Sequence, residues 1–244
     1  SFGLFPNDFI MVAGFQVLLL LAAAATCRGA LSTTVQTEYG PITGYEQNGT
    51  LIFQGVPFAA PPVGSARWKP PAAPSAWTAP LSTLSPKPEC AQGDLWGVLF
   101  KNVTHGSEDC LYLDVYVPLA AAANGKLAVM HWIYGGAFIF GDDWHTGEFD
   151  GSHLATTYGV IVVASNYRLG PFGFLGLPQF AVENEEGSTG NFGMMDQTFA
   201  LKWTRDNIEA FGGDSTRVML FGESAGGISV CFHLASEGSA GLFH

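Results

Sequence analysis

The sequence predicts an α/β fold in which buried parallel strands alternate with helices. Three short, largely apolar stretches support this, because a strand covered by helices on both faces shows no polar side. These stretches are residues 127–133, 160–165 and 218–221. The last runs into a turn and then a helix-like segment that reaches Leu234, which gives the order strand, sharp turn, helix.

Composition limits the partners that this chain can have. Of its 244 residues, 48% are hydrophobic and 13% are charged, which is typical of one sizeable domain with a large core. The net charge of −11 argues against a nucleic-acid partner, because phosphates call for clusters of Lys and Arg. We therefore expect a small-molecule partner. No repeat or linker within residues 30–244 marks a second domain.

The beginning of the chain has the pattern of a secretory signal peptide. From Met11 the sequence enters an apolar run at residues 15–25 and then small residues up to Gly29. Residues 1–10 precede Met11, the first residue that could start translation, and are interpreted as translated upstream sequence. Together with the signal peptide they make residues 1–29, which are left out of the predicted fold. A membrane anchor is the alternative, but it needs about 20 apolar residues and this run is shorter. We expect a secreted or lumenal protein without stable membrane insertion.

The first part of the mature chain predicts a hairpin, a long loop and a strand. Residues 35–45 and 51–56 flank Asn48-Gly49, a pair typical of a type I′ turn. Asn48 and Asn102 each begin a glycosylation sequon, which matters in a secreted chain. Residues 57–88 contain too many prolines for a regular helix, and residues 108–118 alternate as a strand does.

Cys90 and Cys110 flank a polar loop, and in an oxidising compartment they are expected to form a disulfide. Cys27 leaves with the signal peptide. Cys231 falls in the helix after Ser224, where we expect a small buried hydrophobe. The sequence contains no Cys/His set with zinc spacing and no phosphate-binding loop, so no metal or organic cofactor is expected.

The segment Gly222-Glu-Ser-Ala-Gly226 matches the motif Gly-x-Ser-x-Gly at the predicted strand-to-helix turn. Such a corner presents the Ser224 hydroxyl away from the sheet as a nucleophile. The N–H of Ala225 and the positive end of the helix dipole then face the place where an oxyanion forms. The motif also occurs by chance in turns of glycine-rich chains, and this chain has 31 glycines. The strand before it and the helix after it favour the catalytic interpretation.

Several motifs in order give the chain a clear resemblance. Three segments resemble the type-B carboxylesterase and cholinesterase family: Glu108-Asp-Cys-Leu-Tyr-Leu-Asp-Val-Tyr116, Asn166-Tyr-Arg-Leu-Gly-Pro-Phe-Gly-Phe-Leu175 and Phe221-Gly-Glu-Ser-Ala-Gly-Gly227. The resemblance runs from about Tyr39 to the last residue. It implies an α/β-hydrolase fold, with a central, mostly parallel sheet flanked by helices and truncated after the nucleophile helix.

The resemblance also implies site residues. In this family the loop after the first buried strand donates two N–H groups to the oxyanion, and these positions map to Gly136 and Ala137, with Ala225 as the third. Many members have His where this chain has Tyr134 and Gly where it has Ala137. The extra methyl of Ala137 puts substrate size in question. The family further implies two ion pairs, a buried one between Arg67 and Glu108 and a structural one between Arg168 and Asp196.

The implied function is that of a secreted serine hydrolase of carboxylic esters, which acts through an acyl-enzyme on Ser224. The alternative is a non-catalytic, neuroligin-like adhesion or scaffold protein on the same fold. In α/β-hydrolases the triad acid and histidine follow the nucleophile, and only 20 residues follow Ser224. We therefore expect an incomplete, inactive fragment, in which the histidines that precede Ser224, such as His131, are structural.

Overall fold

The computed structural model describes residues 32–93, 104–122, 125–144, 147–182, 187 and 189–244. The predicted signal peptide and the sequon residue Asn102 lie outside the described residues. Residues 31–244 cluster as one unit.

The secondary structure follows the predicted alternation of strands and helices. The strands are β1 (Thr34–Gln36), β2 (Pro41–Thr43), β3 (Tyr45–Gln47), β4 (Thr50–Pro57), β5 (Leu81–Ser82), β6 (Tyr112–Pro118), β7 (Leu127–Ile133), β8 (Ile161–Ser165) and β9 (Gly213–Gly222). The α-helices are α1 (Leu119–Ala122), α2 (Ser152–Tyr158), α3 (Gly170–Phe174), α4 (Pro178–Val182), α5 (Phe192–Asn207) and α6 (Ala225–Ala235).

The main sheet has six described strands in the order β3-β4-β6-β8-β7-β9. Strands β8, β7 and β9 are parallel to one another, and the pairs β3/β4, β4/β6 and β6/β8 are antiparallel. The sheet is therefore mixed, and its parallel part is the half that carries the serine motif. A smaller sheet joins β1, β2 and β5.

Both faces of the main sheet are covered, as the apolar strands predict. On one face, cross-strand neighbours Ile52, Tyr116 and Val162 pack with Ala155 of α2. On the other face, His131 of β7 hydrogen-bonds to Thr204 of α5. Because side chains alternate along a strand, the two helices lie on opposite faces.

The first predicted strand is shorter than expected. Residues 35–45 are divided among β1, β2 and β3, with a tight approach at Gly44, where an added Cβ would meet the ring of Phe53 at 2.7 Å. The predicted type I′ turn is confirmed, since Asn48 and Gly49 have φ values of 50° and 77°. Across the described ranges, no helix has both the length and the apolar character needed to cross a bilayer.

Candidate active site

Ser224 lies at the corner between the end of β9 and the start of α6. Its φ of 52° and ψ of −119° are rare for a residue with a side chain and mark a sharp turn. The serine is exposed, and its hydroxyl does not cap the helix that it precedes. Among the described residues, no group hydrogen-bonds to the Ser224 hydroxyl, which is therefore free to face solvent at the carboxyl end of β9.

The two glycines of the motif allow three segments to meet at this corner. A Cβ on Gly222 would lie 2.5 Å from the carbonyl carbon of Gly226. A Cβ on Gly226 would collide with the carbonyl oxygen of Ile133, the last residue of β7. The turn of residues 222–226, which we call the elbow, is therefore packed directly against the end of the neighbouring parallel strand.

The chain leaving β7 forms a second tight feature, which we call the glycine bend (residues 135–141). Gly136, Ala137 and Phe138 have consecutive positive φ values of 96°, 54° and 63°. The N–H groups of Ile139 and Phe140 both donate to the carbonyl oxygen of Gly136, at 3.0 and 3.1 Å. These bonds close the bend on itself.

The glycine bend touches the serine. A Cβ added to Gly135 would lie 2.9 Å from the Cβ of Ser224 and 2.6 Å from a carboxylate oxygen of Glu223. Among the described residues, none accepts a hydrogen bond from the N–H of Gly136, Ala137 or Ala225. Backbone N–H groups without an acceptor are the kind of donor that stabilises a developing oxyanion.

Tyr134 anchors the start of the glycine bend by interlocking with Tyr167. The Tyr134 hydroxyl donates to the Tyr167 carbonyl at 3.1 Å, and the Tyr167 hydroxyl donates to the Tyr134 carbonyl at 3.0 Å. Their rings stack with centroids 4.5 Å apart. Burial raises the pKa of both hydroxyls, so both stay protonated and able to donate.

His131 is buried in the core and is fully engaged. Its Nδ1 lies 3.0 Å from the Thr204 hydroxyl, which itself donates to the Ala200 carbonyl, so Nδ1 carries the proton. Its Nε2 accepts from the Ser165 hydroxyl at 3.0 Å. Burial, helped by nearby His233, lowers the pKa of His131 to about 3. This is the strand residue with a structural role that the sequence predicts.

His233 is also engaged within the protein. Its Nδ1 lies 2.8 Å from the Ser239 hydroxyl and its Nε2 lies 2.9 Å from Oε1 of Gln197. Burial lowers its pKa to about 4. Since Gln197 also donates to Ser229 at 3.1 Å, the histidine ties α5 to the serine helix α6. Neither His131 nor His233 has a ring nitrogen left for Ser224.

The Cys90–Cys110 disulfide is present, and Asn48 is exposed at the hairpin turn. Cys231 is exposed, which corrects the expectation of a buried residue: it lies on the face of α6 that also exposes Phe232.

Both predicted ion pairs form. Arg67 and Glu108 bond through two atom pairs at 2.5 and 2.6 Å, but their side chains are 37% and 24% exposed, so this pair is not buried as expected. Arg168 and Asp196 form a buried bidentate pair, with both contacts at 2.7 Å. Within the described ranges, no group of three or more His, Cys, Asp or Glu side chains is arranged to hold a metal ion.

A mixed sheet with helices on both faces and a serine corner at the end of a parallel strand defines the α/β-hydrolase fold. Solved structures support this class. A thermophilic pNB esterase matches with a TM-score of 0.77 and 45% identity, over 86% of this chain and 42% of that one. The carboxylesterase of Geobacillus stearothermophilus matches with a TM-score of 0.76 and 39% identity, over 87% of this chain and 42% of that one.

The chain belongs to the carboxylesterase family, whose model matches residues 31–244. It is 45% identical to the para-nitrobenzyl esterase of Bacillus subtilis over 86% of this chain and 42% of that protein. It is 47% identical to acetylcholinesterase 1 of Caenorhabditis elegans over 79% of this chain and 31% of that protein. The chain thus spans less than half the length of these relatives.

Two features of the site escape sequence reasoning. The Tyr134–Tyr167 interlock joins residues 33 apart, and the side chain of Gln92 reaches Gly141, which is 49 residues away. No local pattern marks either contact, because each depends on how distant loops pack. The only sequence signal is that Gln92 stands two residues after a disulfide cysteine.

Proposed function

We propose that this protein hydrolyses carboxylic esters of small molecules through an acyl-enzyme on Ser224. The observation that carries the proposal is the contact between the exposed serine and the glycine bend. In the first step the Ser224 oxygen attacks the ester carbonyl carbon while a base takes its proton. The N–H groups of Gly136, Ala137 and Ala225 stabilise the resulting oxyanion. The alcohol leaves with a proton, and water then releases the acid and frees the serine.

The base and its orienting carboxylate are not assigned to a described residue. His131 and His233 use both ring nitrogens elsewhere, and Nδ1 of His105 contacts Glu89 at 2.6 Å. In this proposal the base and the acid follow Ser224 and lie outside the described residues, as the chain order of α/β-hydrolases implies. The relatives, which are more than twice as long as the matched segment, support that view.

The experiment uses protein expressed from its complete coding sequence. We expect a fluorophosphonate probe to label the peptide that contains Ser224 and p-nitrophenyl acetate to be hydrolysed. Ser224→Ala, which removes one oxygen from an exposed position, abolishes both while leaving thermal stability unchanged. Wild-type protein that is folded but is neither labelled nor active contradicts the proposal and favours the scaffold alternative.

We further propose that the protein is secreted and carries a glycan on Asn48, with Asn102 as a second site. The disulfide and the exposed position of Asn48 support this. In the same preparation, made in a secreting eukaryotic host, intact mass before and after glycosidase treatment reads out the glycan. Thr50→Val is the test variant, because it removes the sequon but keeps the turn residues, and the buried Thr50 hydroxyl has no hydrogen-bond partner among the described residues.

A further inference from the structure

The side chain of Gln92 holds the end of the glycine bend. Its Oε1 accepts from the Gly141 N–H at 2.7 Å, and its Nε2 donates to the Gly141 carbonyl at 2.9 Å. The same Nε2 donates to the Cys90 carbonyl at 3.1 Å. Gln92 is 8% exposed, so these bonds are shielded from water. One amide thus satisfies both polar groups of a residue 49 positions away.

Gly141 in turn packs against the beginning of the bend. It has a φ of 115°, and a Cβ added there would lie 2.7 Å from the Tyr134 ring and 2.9 Å from the Gly135 carbonyl oxygen. Gly135 is the residue that lies against the Cβ of Ser224. A shift of Gly141 is therefore passed to Gly135 and to the donors that follow it, because close-packed segments do not deform independently.

Gln92 is itself held firmly. Its backbone N–H donates to the His105 carbonyl at 3.0 Å, and the His105 N–H donates back at 2.8 Å. It stands two residues after Cys90, whose disulfide joins it to the buried Cys110 just before β6. The covalent crosslink fixes the backbone from which the Gln92 side chain reaches the bend.

We propose that Gln92 is a positioning residue for ester hydrolysis, which transmits the rigidity of the Cys90–Cys110 loop to the glycine bend. This rests on the proposed function. The side-chain hydrogen bonds of Gln92 reach neither Ser224 nor an oxyanion donor. It keeps the N–H groups of Gly136 and Ala137 in register with Ser224 by fixing Gly141 at the other end of the bend.

The chemistry of the contact requires an amide. One oxygen accepts from Gly141 while one nitrogen donates to two carbonyl oxygens, on Gly141 and Cys90. A carboxylate of the same shape keeps the acceptor, but it places its negative charge against two carbonyl oxygens. Protonation restores a donor, so a glutamate here works only when it is neutral.

Two variants separate these requirements. Gln92→Met keeps the length of the side chain and removes the donor and acceptor, while Gln92→Glu keeps the shape and becomes competent only when protonated. The matched control is His105→Ala, which removes an exposed side chain from the same loop and leaves the backbone pairing with Gln92 in place. Ionisable groups near position 92 include His105 with its partner Glu89, and Asp142 and Asp143, which follow Gly141 in the chain.

The first measurement is amide hydrogen exchange of residues 135–141, in protein from the complete coding sequence. It reads the position of the bend even if the protein has no esterase activity. We expect exchange at Gly141 to be at least ~10-fold faster in Gln92→Met than in wild type, and unchanged in His105→Ala. In Gln92→Glu, exchange relative to wild type at the same pH should be fast at pH 8 and return towards normal as the pH falls and the buried carboxyl takes up a proton.

The second measurement is ester hydrolysis. Gln92→Met should lower kcat by ~10–100-fold with KM within about twofold, because misplaced donors affect the transition state more than substrate binding. The inference is wrong if Gln92→Met has the same amide exchange and the same kcat as the wild type. If the variant does not fold, a Gln92→Glu protein that folds and behaves as wild type at pH 8 overturns it as well. Absence of Ser224-dependent activity in wild type overturns the proposed function instead, and the exchange data still decide whether Gln92 holds the bend.

Discussion

At the scale of single residues, the corner at Ser224 depends on which neighbours lack a side chain. Gly226 and Gly227 are adjacent in the first turn of α6, and helix propensity favours alanine at both. Their surroundings differ, however. A Cβ on Gly226 collides with the Ile133 carbonyl oxygen, whereas a Cβ on Gly227 has its nearest neighbour, the Gly222 carbonyl oxygen, at 3.4 Å.

We predict opposite effects for alanine at these two positions. Gly226→Ala forces the elbow away from β7, so it should lower the free energy of unfolding by about 1–3 kcal/mol and kcat for an ester by ~10²-fold. Gly227→Ala should raise the free energy of unfolding by about 0.5–1 kcal/mol and leave kcat unchanged. Urea unfolding and p-nitrophenyl ester hydrolysis measure both. Equal behaviour of the two variants would show that the elbow is not packed against the end of β7.

At the scale of elements, Arg168 joins the loop after β8 to helix α5. Its guanidinium bonds to both oxygens of Asp196 and to the Lys69 carbonyl, and it lies 5.4 Å from the centre of the Phe192 ring. The Asp196 side chain is completely buried and the Arg168 side chain is 3% exposed. Removing one charge from such a pair leaves the other buried without a counter-ion.

We therefore predict that Asp196→Asn lowers the free energy of unfolding by about 3–5 kcal/mol, since it leaves the buried Arg168 charge without a counter-ion. Chemical denaturation with the wild type alongside is the measurement. Glu209→Gln is the control, because it breaks an ion pair with Lys126 whose side chains are more than half exposed. A loss as small as that of the control would mean that the buried pair contributes nothing to holding α5.

At the scale of the whole molecule, sequence reasoning succeeded where the signal is local. The apolar runs that became β7 and β8, the Asn48-Gly49 turn and the helix after Ser224 follow from periodicity and turn chemistry. Sequence reasoning failed where the packing of distant segments decides whether a residue is buried. Cys231 looks like a core residue because of its type, yet which face of α6 is covered depends on distant segments.

Buried histidines make the stability of the whole protein depend on pH. His131 and His233 have pKa values lowered by burial to about 3 and about 4, against an ordinary value of 6.5. Above pH 6.5 both are neutral in the folded and unfolded states, and their stabilising contribution is fully present. Below pH 6.5 these two histidines bind protons in the unfolded chain but stay neutral in the folded protein. The free energy of unfolding therefore falls as the pH falls. Burial raises the pKa of Asp114 to about 6. This carboxyl has the opposite effect, because its contribution to the free energy of unfolding rises as the pH falls.

We predict that His131→Gln flattens this dependence. Gln keeps a donor and an acceptor for Thr204 and Ser165 but does not titrate. The difference in unfolding free energy between wild type and variant should change by about 1.4 kcal/mol per pH unit between pH 6 and 4, or about 3 kcal/mol in total. His233→Gln is the matched variant, whose effect should level off near pH 4, whereas that of His131 continues towards pH 3. Urea unfolding in steps of half a pH unit makes the measurement, and a His131→Gln curve parallel to the wild type would mean that His131 is not held neutral by burial.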